Sequence, residues 1–412
     1  MKMDAYVAGV GMTRFGNHLT TRLKDLAAEA IRAALADAGL GPDDIEAAYM
    51  GNAAAGVLQG QEMIRGQAVL RSLGVGRIPV INVENACATS STAFAQGAAM
   101  VTAGAHDVAL VCGYEKLFNE DKQKSFLAFD GAVDTEDPNG LTGALRSLAA
   151  QAGEDPDAEL GDKSRSVFVD IYAYMTKAHM RRYGTTREQI AGVTAKNSRN
   201  GALNPRAQFQ KPMTVPEVLA AREILWPLTL PMCSPIGDGA AALVLVSRRK
   251  AAALGLSHRV RVLSSVVASG YDHAPDEESL GAYACRQAYA AAGLGPQDLS
   301  CAEVHDASAP SELIAYEYLG LCGPGGGGRL IDEGVTEITG RTPVNASGGL
   351  LRKGHPIGAT GAAQIVELTE QLRGQCGPRQ VANARIGLAH NGGGLIGNDA
   401  AATVVSILAR ES

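Results

Sequence analysis

The chain has 412 residues and a net charge of −6, with 46% hydrophobic and 19% charged residues. This composition excludes a disordered chain, and the acidic balance argues against a nucleic-acid binder that works through bulk positive charge. No apolar run approaches the ~18 residues of a membrane span, and the first residues lack the apolar segment of a signal peptide.

The sequence contains two copies of one strand–helix–strand pattern. The segments AIRAALADAGLGPDD (30–44) and ACRQAYAAAGLGPQD (284–298) align at a constant offset of 254 residues. Each is an Ala-rich helical pattern that ends in Gly and Pro, and each follows a strand-like segment, AYVAGVG or VRVLSSVVASG. One such helix ending is common, but two copies in the same context favour a duplicated chain.

Further elements alternate in the same order in both copies. IPVINVENACATSSTAF and TPVNASGGLLRKGHPIGATG each predict a strand, a turn and a helix, and DVALVCGYE and ARIGLAHNGGG predict the strands that follow. Alternating strands and helices indicate an α/β fold with mostly parallel sheets. We therefore predict an N-terminal half at 1–250, which includes an inserted loop domain at about 116–230, and a C-terminal half at 258–412.

The inserted segment is split by charge. Residues 119–162 carry 11 acidic and 3 basic residues, whereas 163–222 carry 3 acidic and 11 basic ones. Such a pattern is typical either of a solvated surface or of a basic lid that meets an anionic ligand. Candidates for the second role are Arg181, Arg182, Arg187 and Arg199.

Cys87 and His355 each lie at the start of a predicted helix, and the two helices occupy matching places in the two halves. Cys87 lies in NACATSS at a strand-to-helix junction, where a helix dipole favours a thiolate, although a lone cysteine is more often structural. His355 lies in GHPIGATG at the matching place of the second half. A pseudo-two-fold axis would bring the two helix N-termini together, and a cysteine beside a histidine is a nucleophile-activating geometry.

Two more histidines follow predicted strands. His305 comes after CAEV, and His390 precedes a glycine run whose amides can bind an oxyanion. Open α/β sheets place their sites at these carboxyl ends. The usual signatures of other site classes are missing: there is no complete dinucleotide fingerprint, P-loop, H-E-x-x-H zinc motif or G-x-S-x-G elbow.

Taken together, NACATSS, HDAS, NASGGLLRKGHPIGATG and AHNGGG resemble the thiolases over essentially the whole chain, especially the sterol-carrier-protein-type and archaeal-type branch. The resemblance implies a thiolase fold of two duplicated βαβαβ-type halves in αβαβα layers. It implies that Cys87 accepts the acyl group, that His355 activates Cys87, and that His390 and His305 are the acid/base candidates. It also implies substrate binding by Asn345, Ser347 and the Gly392 amide.

The chain departs from the family pattern at the second catalytic cysteine. His390 stands where many thiolases have this cysteine, and Ala307 stands where the sterol-carrier branch often has one. Proton abstraction then falls to a histidine, or the reaction differs from ordinary thiolysis. We expect an acyltransferase that uses acyl-CoA thioesters. The alternatives are a retro-aldol lyase acting on a β-hydroxyacyl-CoA and a subunit of a multi-protein acyltransferase.

The expected partners also come from the resemblance. Thiolases are dimers or tetramers, and an exposed sheet edge near Asp107–Val111 would be the surface that pairs. Some relatives of the branch work beside a small OB-fold protein that helps to hold CoA. We expect no metal and no cofactor apart from CoA as substrate. The seven scattered cysteines favour a reducing cytoplasm.

Overall fold

The structure is a computed structural model that describes residues 2–156, 165–256, 259–274 and 277–411. Its strands are β1 (Ala5–Met12), β2 (Ala47–Gly51), β3 (Val80–Val83), β4 (Val108–Lys116), β5 (Glu223–Leu225), β6 (Leu228–Thr229), β7 (Asp238–Ser247), β8 (Arg259–Ser269), β9 (Cys301–Glu303), β10 (Ile386–Ile396) and β11 (Asp399–Glu411).

The α-helices are α1 (Leu23–Ala38), α2 (Ala55–Gln59), α3 (Arg65–Arg71), α4 (Thr89–Thr102), α5 (Lys122–Asp130), α6 (Pro138–Ala152), α7 (Val167–Tyr183), α8 (Arg187–Ala202), α9 (Val215–Leu219), α10 (Arg248–Ala253), α11 (Leu280–Ala292), α12 (Ala309–Tyr318), α13 (Gly327–Asp332), α14 (Gly349–Lys353) and α15 (Thr360–Arg373). Among these residues, no helix is long and apolar enough to cross a membrane.

Nine strands form one sheet in the order β3-β2-β4-β7-β1-β8-β11-β10-β9. The strand order is the same in both halves when each is followed outward from the central β1–β8 pair. In the first half, β1 is followed by β7, β4, β2 and β3. In the second half, β8 is followed by β11, β10 and β9, and a single bridge at Val344 takes the place that β3 has in the first half. The sheet is mixed rather than mostly parallel, since only β2–β3, β2–β4 and β9–β10 pair in parallel. The boundaries at 250 and 258 stay a prediction; β7 ends at Ser247 and β8 begins at Arg259.

The repeated segments adopt the same local structure. Helices α1 and α11 end at Gly39 and Gly293, whose φ angles of 67° and 71° are left-handed and therefore suit glycine. A 3₁₀ turn follows each helix, and in it an aspartate, Asp44 or Asp298, accepts a backbone N–H three residues earlier. Strands β2 and β9 come next, which agrees with the duplication that the sequence predicts.

Helices α4 and α15 form the central layer of the molecule. Their apolar residues share one core with β1, β4 and β7 of the first half and with β8 and β10 of the second. Helix α1 covers the other face of the first half, and α11 and α12 cover that of the second. The two halves of the sheet therefore lie on opposite sides of α4 and α15, each with further helices on its outer face, and the layers alternate as αβαβα. The segment between β4 and β7 contains α5 to α9, which is the inserted part of the chain.

The predicted sheet edge near Asp107–Val111 is wrong. Strand β4 is hydrogen-bonded to β2 on one side and to β7 on the other. The reason is that β7, which follows the long insertion, returns antiparallel between β4 and β1. The outer strand of the first half is β3 instead.

Candidate active site

Cys87 lies in a tight turn between β3 and α4. Ala86 has a left-handed φ of 47°, and a 3₁₀ turn at Ala86–Ala88 leads into the helix. The Thr89 hydroxyl donates to the Ala86 carbonyl over 2.6 Å and accepts the Asn85 N–H over 2.9 Å. These two bonds fix the turn that presents the half-buried Cys87 side chain to a large cavity.

Two glycines allow the second half to approach this turn. A Cβ atom on Gly393 of β10 would lie 2.5 Å from the Asn85 carbonyl oxygen. A Cβ atom on Gly361 of α15 would lie 2.5 Å from the Ser91 nitrogen of α4. Neither contact leaves room for a side chain, so both positions require glycine. The close approach brings the His355 turn beside Cys87.

Cys87, His305 and His355 form one cluster. The Cys87 Sγ atom and one ring nitrogen of each histidine lie within 4.8 Å of one another. The two imidazole rings meet edge to face, with centroids 5.2 Å apart. A thiol and two imidazoles are also a donor set that zinc accepts. The structure thus brings together Cys87 and two of the three histidines singled out in the sequence.

Hydrogen bonds determine which ring nitrogens can act as bases. His355 Nδ1 lies 2.8 Å from the Thr360 hydroxyl, which itself donates to the Pro356 carbonyl and therefore accepts the Nδ1 proton. His305 Nδ1 lies 2.7 Å from Asn391 Oδ1, an acceptor. Both rings consequently keep their proton on Nδ1, and each Nε2 is left as a proton acceptor.

Asn391 connects the His305 ring to the turn that contains Cys87. Its amide nitrogen donates to the Cys87 carbonyl over 3.0 Å and to the Ser91 hydroxyl over 3.1 Å. One side chain therefore orients His305 and holds the Cys87 turn. No sequence motif marks Asn391 or Thr360 as a site residue, although each lies within five residues of one of the candidate histidines, His390 and His355.

The pKa values show neutral groups at rest. Burial lowers the pKa of His305 to about 4, and burial together with His305 holds that of His355 well below its usual range. Burial, with smaller contributions from Glu115 and Glu84, raises the pKa of the Cys87 thiol to about 12. Desolvation therefore outweighs the helix dipole that the sequence suggested would favour a thiolate. A reaction through the Cys87 sulfur would therefore need a base to remove the thiol proton.

We expect the alkylation of Cys87 by iodoacetamide to accelerate about tenfold per pH unit between about pH 7 and 9, because the thiolate fraction rises in this proportion below the thiol pKa. Peptide mapping gives the rate at Cys87, with the Cys87→Ser variant as background for the other thiols. A rate that stays constant over this range would show a preformed thiolate–imidazolium pair and contradict the neutral resting state.

His390 lies on β10 beside the cluster and also lines the cavity. Its Nδ1 is buried and has no hydrogen-bond partner in the described part of the chain. Burial, with His305 adding to it, lowers the pKa of His390 to about 3, so the ring is neutral at pH 7. The ring of Tyr318 packs against it, with centroids 6.0 Å apart. An unbonded, neutral imidazole facing the cavity is able to accept a proton or a hydrogen bond from substrate.

Two residues predicted to bind substrate are placed elsewhere. Asn345 and Ser347 are fully buried and do not line the cavity, whereas Gly392 does. Asn345 accepts the Val304 N–H over 2.9 Å, and Ser347 donates to Glu303 over 2.5 Å. Their bonds hold the strand end before His305, and substrate binding by Asn345 and Ser347 stays a prediction.

Cys233 is a second thiol that lines the cavity, and no sequence motif marks it as a site residue. Its backbone forms a bridge with Ser308, and the next residue, Ser234, donates its N–H to the Ala307 carbonyl. Cys233 therefore lies beside the position at which the related branch often has a cysteine. Burial raises the pKa of its thiol to about 12.

The cavity has a volume of about 1020 Å³ and is lined mainly by apolar side chains. Among the described residues that line the cavity, the Lys or Arg side chains are Arg165 and Arg222. The four arginines predicted to hold an anion lie outside it: Arg187 pairs with Glu223 and Arg199 with Glu337. Lys177, Lys196 and Arg206 of the basic half also pair with carboxylates of the chain.

Comparisons with known proteins agree with this architecture. Residues 5–223 match the family "Thiolase, N-terminal domain", and 276–409 match "Thiolase C-terminal domain-like". The chain is 38% identical to an acetyl-CoA acetyltransferase of Methanothermobacter thermautotrophicus, over 96% of this chain and 98% of that protein. It is 35% identical to the benzoylsuccinyl-CoA thiolase subunit BbsB of Thauera aromatica, over 96% of each.

A solved structure similar to the whole chain is the Ltp2–ChsH2(DUF35) aldolase. It superposes with a TM-score of 0.76 at 26% identity and covers 98% of this chain and 97% of that one. The predicted fold, with duplicated halves in αβαβα layers, is thereby confirmed. Because the two family matches span both halves and the archaeal relative aligns over nearly its full length, this chain belongs to the thiolase family.

Proposed function

We propose that the protein is an acyltransferase that takes the acyl group of an acyl-CoA thioester onto Cys87 and passes it to a second substrate. The observation that carries the proposal is the cluster of Cys87 Sγ with one nitrogen each of His305 and His355, within 4.8 Å, at an apolar cavity. The acetyltransferase and thiolase names of the relatives support the same reaction class.

The first half-reaction follows from the tautomers. The Cys87 sulfur attacks the thioester carbonyl while its proton moves to Nε2 of His355. The tetrahedral oxyanion forms beside the glycines of β10, and the Gly392 amide is the donor we assign to it. Collapse breaks the bond to the CoA sulfur, which leaves with the proton from His355. The products are acyl-Cys87 and free CoA.

The second half-reaction requires a base for a carbon nucleophile, and we assign His390 to it. The neutral ring takes a proton from the α-carbon of a second thioester. The resulting enolate attacks acyl-Cys87, and the Cys87 thiolate that leaves recovers the proton. In the reverse direction the same atoms cleave a 3-ketoacyl-CoA.

Isotope exchange tests the covalent half-reaction without knowledge of the second substrate. The enzyme, given an acyl-CoA and labelled free CoA, should move the label into acyl-CoA, because each acylation releases CoA and each reversal takes it up. Cys87→Ala should abolish the exchange. Exchange that survives in this variant, or its absence from the wild type for every acyl-CoA tried, would contradict the proposal.

A second candidate is a retro-aldol lyase acting on a β-hydroxyacyl-CoA. The similarity to the Ltp2–ChsH2(DUF35) aldolase and the alanine at position 307 favour it. Such a lyase needs a base but no acyl-cysteine. The two candidates differ in the Cys87→Ala variant, which would retain lyase activity and lose acyl transfer.

We also propose that a small OB-fold partner helps to hold the nucleotide of CoA. Arg165 already pairs with Asp170 over 2.6 Å, and Arg222 lines the cavity and is exposed. These two cations are few for a ligand that carries three phosphate groups. The DUF35 partner in the similar aldolase and the subunit status of BbsB support an assembly of this kind.

For the isolated chain, we expect kcat/KM for an acyl-CoA and for the matching acyl-pantetheine to agree within about threefold, since few contacts would reach the nucleotide. Steady-state rates of acylation give both values. A preference for the CoA thioester of about a hundredfold would show that the chain holds the nucleotide by itself.

We propose a homodimer that pairs through β3 rather than through β4. Exposed apolar residues lie next to this outer strand: Met63 is 74% and Ile64 63% exposed, and they precede Gly66, whose N–H donates to Asn82 of β3. An unpaired strand edge beside such side chains is a surface that a second copy can cover.

We also propose a cytoplasmic location, with which the seven free thiols agree.

Light scattering at micromolar concentration should give the mass of a dimer for the wild type. The double variant Met63→Asp, Ile64→Asp should shift the population to monomer, because two charges would be buried without partners. Val267→Asp is the control, since Val267 is an exposed residue of the internal strand β8. A monomeric wild type, or a dimer unaffected by the double variant, would contradict pairing through β3.

A further inference from the structure

Phenylalanine is concentrated around the cavity. The chain has only 7 Phe residues, and five of them line this one cavity: Phe118, Phe126, Phe129, Phe168 and Phe209. The other two, Phe15 and Phe94, are fully buried in the core. None of the five is fully buried. The fold thus keeps five phenyl rings partly open toward the cavity rather than using them to fill its core.

The rings come mainly from the inserted segment, whereas the reacting groups come from the duplicated core. Phe126 and Phe129 lie on α5, and Phe168 lies on α7 with its ring centroid 6.4 Å from that of Tyr172. Phe129 packs in the same apolar cluster as Cys87. The aromatic wall therefore reaches the apolar cluster against which Cys87 also packs.

The cavity is also large for a small acyl group. Its volume of about 1020 Å³ lies at the upper end of the usual range for ligand pockets, about 300–1,000 Å³. An acetyl group on Cys87 would fill only a small part of this volume. A planar ring can instead pack against the phenyl rings in tilted or offset contacts, which are more favourable than aliphatic burial of the same area.

We propose that the acyl group carried by Cys87 bears an aromatic ring. This substrate class rests on the proposed function, because it assumes that Cys87 is the acyl acceptor. The phenyl rings on α5 and α7 would hold the ring of the substrate, and the cluster at Cys87 would act on its thioester.

Three thioesters with the same number of carbons test this class: 3-phenylpropanoyl-CoA, 3-cyclohexylpropanoyl-CoA and nonanoyl-CoA. We expect Cys87 acylation by the phenyl compound to have a kcat/KM at least about tenfold above that of the other two and of acetyl-CoA. If the linear or the cyclohexyl compound reacts as well as the phenyl compound, the aromatic assignment is wrong.

A variant pair locates the preference in the aromatic wall. Phe168→Leu keeps an apolar side chain but removes the ring, and should lower the ratio of phenyl to nonanoyl reactivity about threefold or more. Tyr174→Leu is the matched control, since Tyr174 lies on the same helix without lining the cavity, and the ratio should not change. An equal change of the ratio in both variants would contradict the assignment.

Binding to Cys87→Ala separates this inference from the proposed function. Titration calorimetry of the variant with the same three thioesters measures affinity without acyl transfer. A phenyl preference there, with no acylation of wild-type Cys87, would reject the covalent mechanism and retain the aromatic class. Acylation of Cys87 without a phenyl preference would support the covalent mechanism and reject the aromatic class.

Discussion

His355→Ala should slow the acylation of Cys87 by about 10²–10⁴-fold, the usual contribution of a general base. The effect is large because burial raises the pKa of the Cys87 thiol to about 12, so the resting enzyme contains almost no thiolate at pH 7. His355, with its proton on Nδ1 and its Nε2 unbonded, is the base we assign to remove the thiol proton. Rapid-quench measurement of CoA release in the first turnover gives the acylation rate.

Thr360 provides the matched control for this variant. Its hydroxyl accepts the Nδ1 proton of His355 over 2.8 Å, so Thr360→Val should allow the wrong tautomer and slow acylation by about tenfold. Thr360→Ser retains the hydroxyl and should restore most of the rate. If His355→Ala acylates within about threefold of the wild type, His355 is not the base.

His390→Ala should acylate Cys87 from a simple acyl-CoA at nearly the wild-type rate and should cleave a 3-ketoacyl-CoA about 10²-fold or more slowly. Only the second reaction moves a proton to or from carbon, which is the step assigned to His390. Burial lowers the pKa of this ring to about 3, so it remains in the neutral, proton-accepting form throughout the neutral pH range. Burst kinetics with the two substrates separate the reactions.

A glutamine variant distinguishes proton transfer from a positioning role. If His390 only orients the glycines that follow it through hydrogen bonds, His390→Gln should restore cleavage of the 3-ketoacyl-CoA. If His390 transfers the proton, His390→Gln should remain as slow as His390→Ala, because an amide cannot do so. An equal loss of both half-reactions in His390→Ala would remove His390 from the acid/base role.

The duplicated core was predictable because its signals are local. The helix ends at Gly39 and Gly293 and the strands around them depend on residues close in sequence, and the repeat placed Cys87 and His355 on equivalent helices. Their meeting follows from the symmetry of the halves. The internal position of β4 in the sheet was not predictable in this way. It depends on pairing with β7, a strand that is separated from β4 in the sequence by a long insertion.

The fine structure of the site was less accessible from sequence. Asn391 acts through three partners from two distant segments, and no motif of its own indicates this role. Asn345 and Ser347 belong to a specific motif, yet the structure buries them below the site. The thiol pKa of Cys87 depends on desolvation, a property of the assembled cavity that local helix-dipole reasoning does not contain.

Peptide mapping by mass spectrometry, after a brief incubation with 3-phenylpropanoyl-CoA and acid quenching, detects an acyl-enzyme and locates it. We expect one phenylpropanoyl group per chain, located on Cys87 and absent from Cys87→Ser. Cys233, the other thiol that lines the cavity, should remain unmodified. The label on Cys233 or on another residue, or no label from this or any other acyl-CoA, would contradict an acyl-enzyme at Cys87.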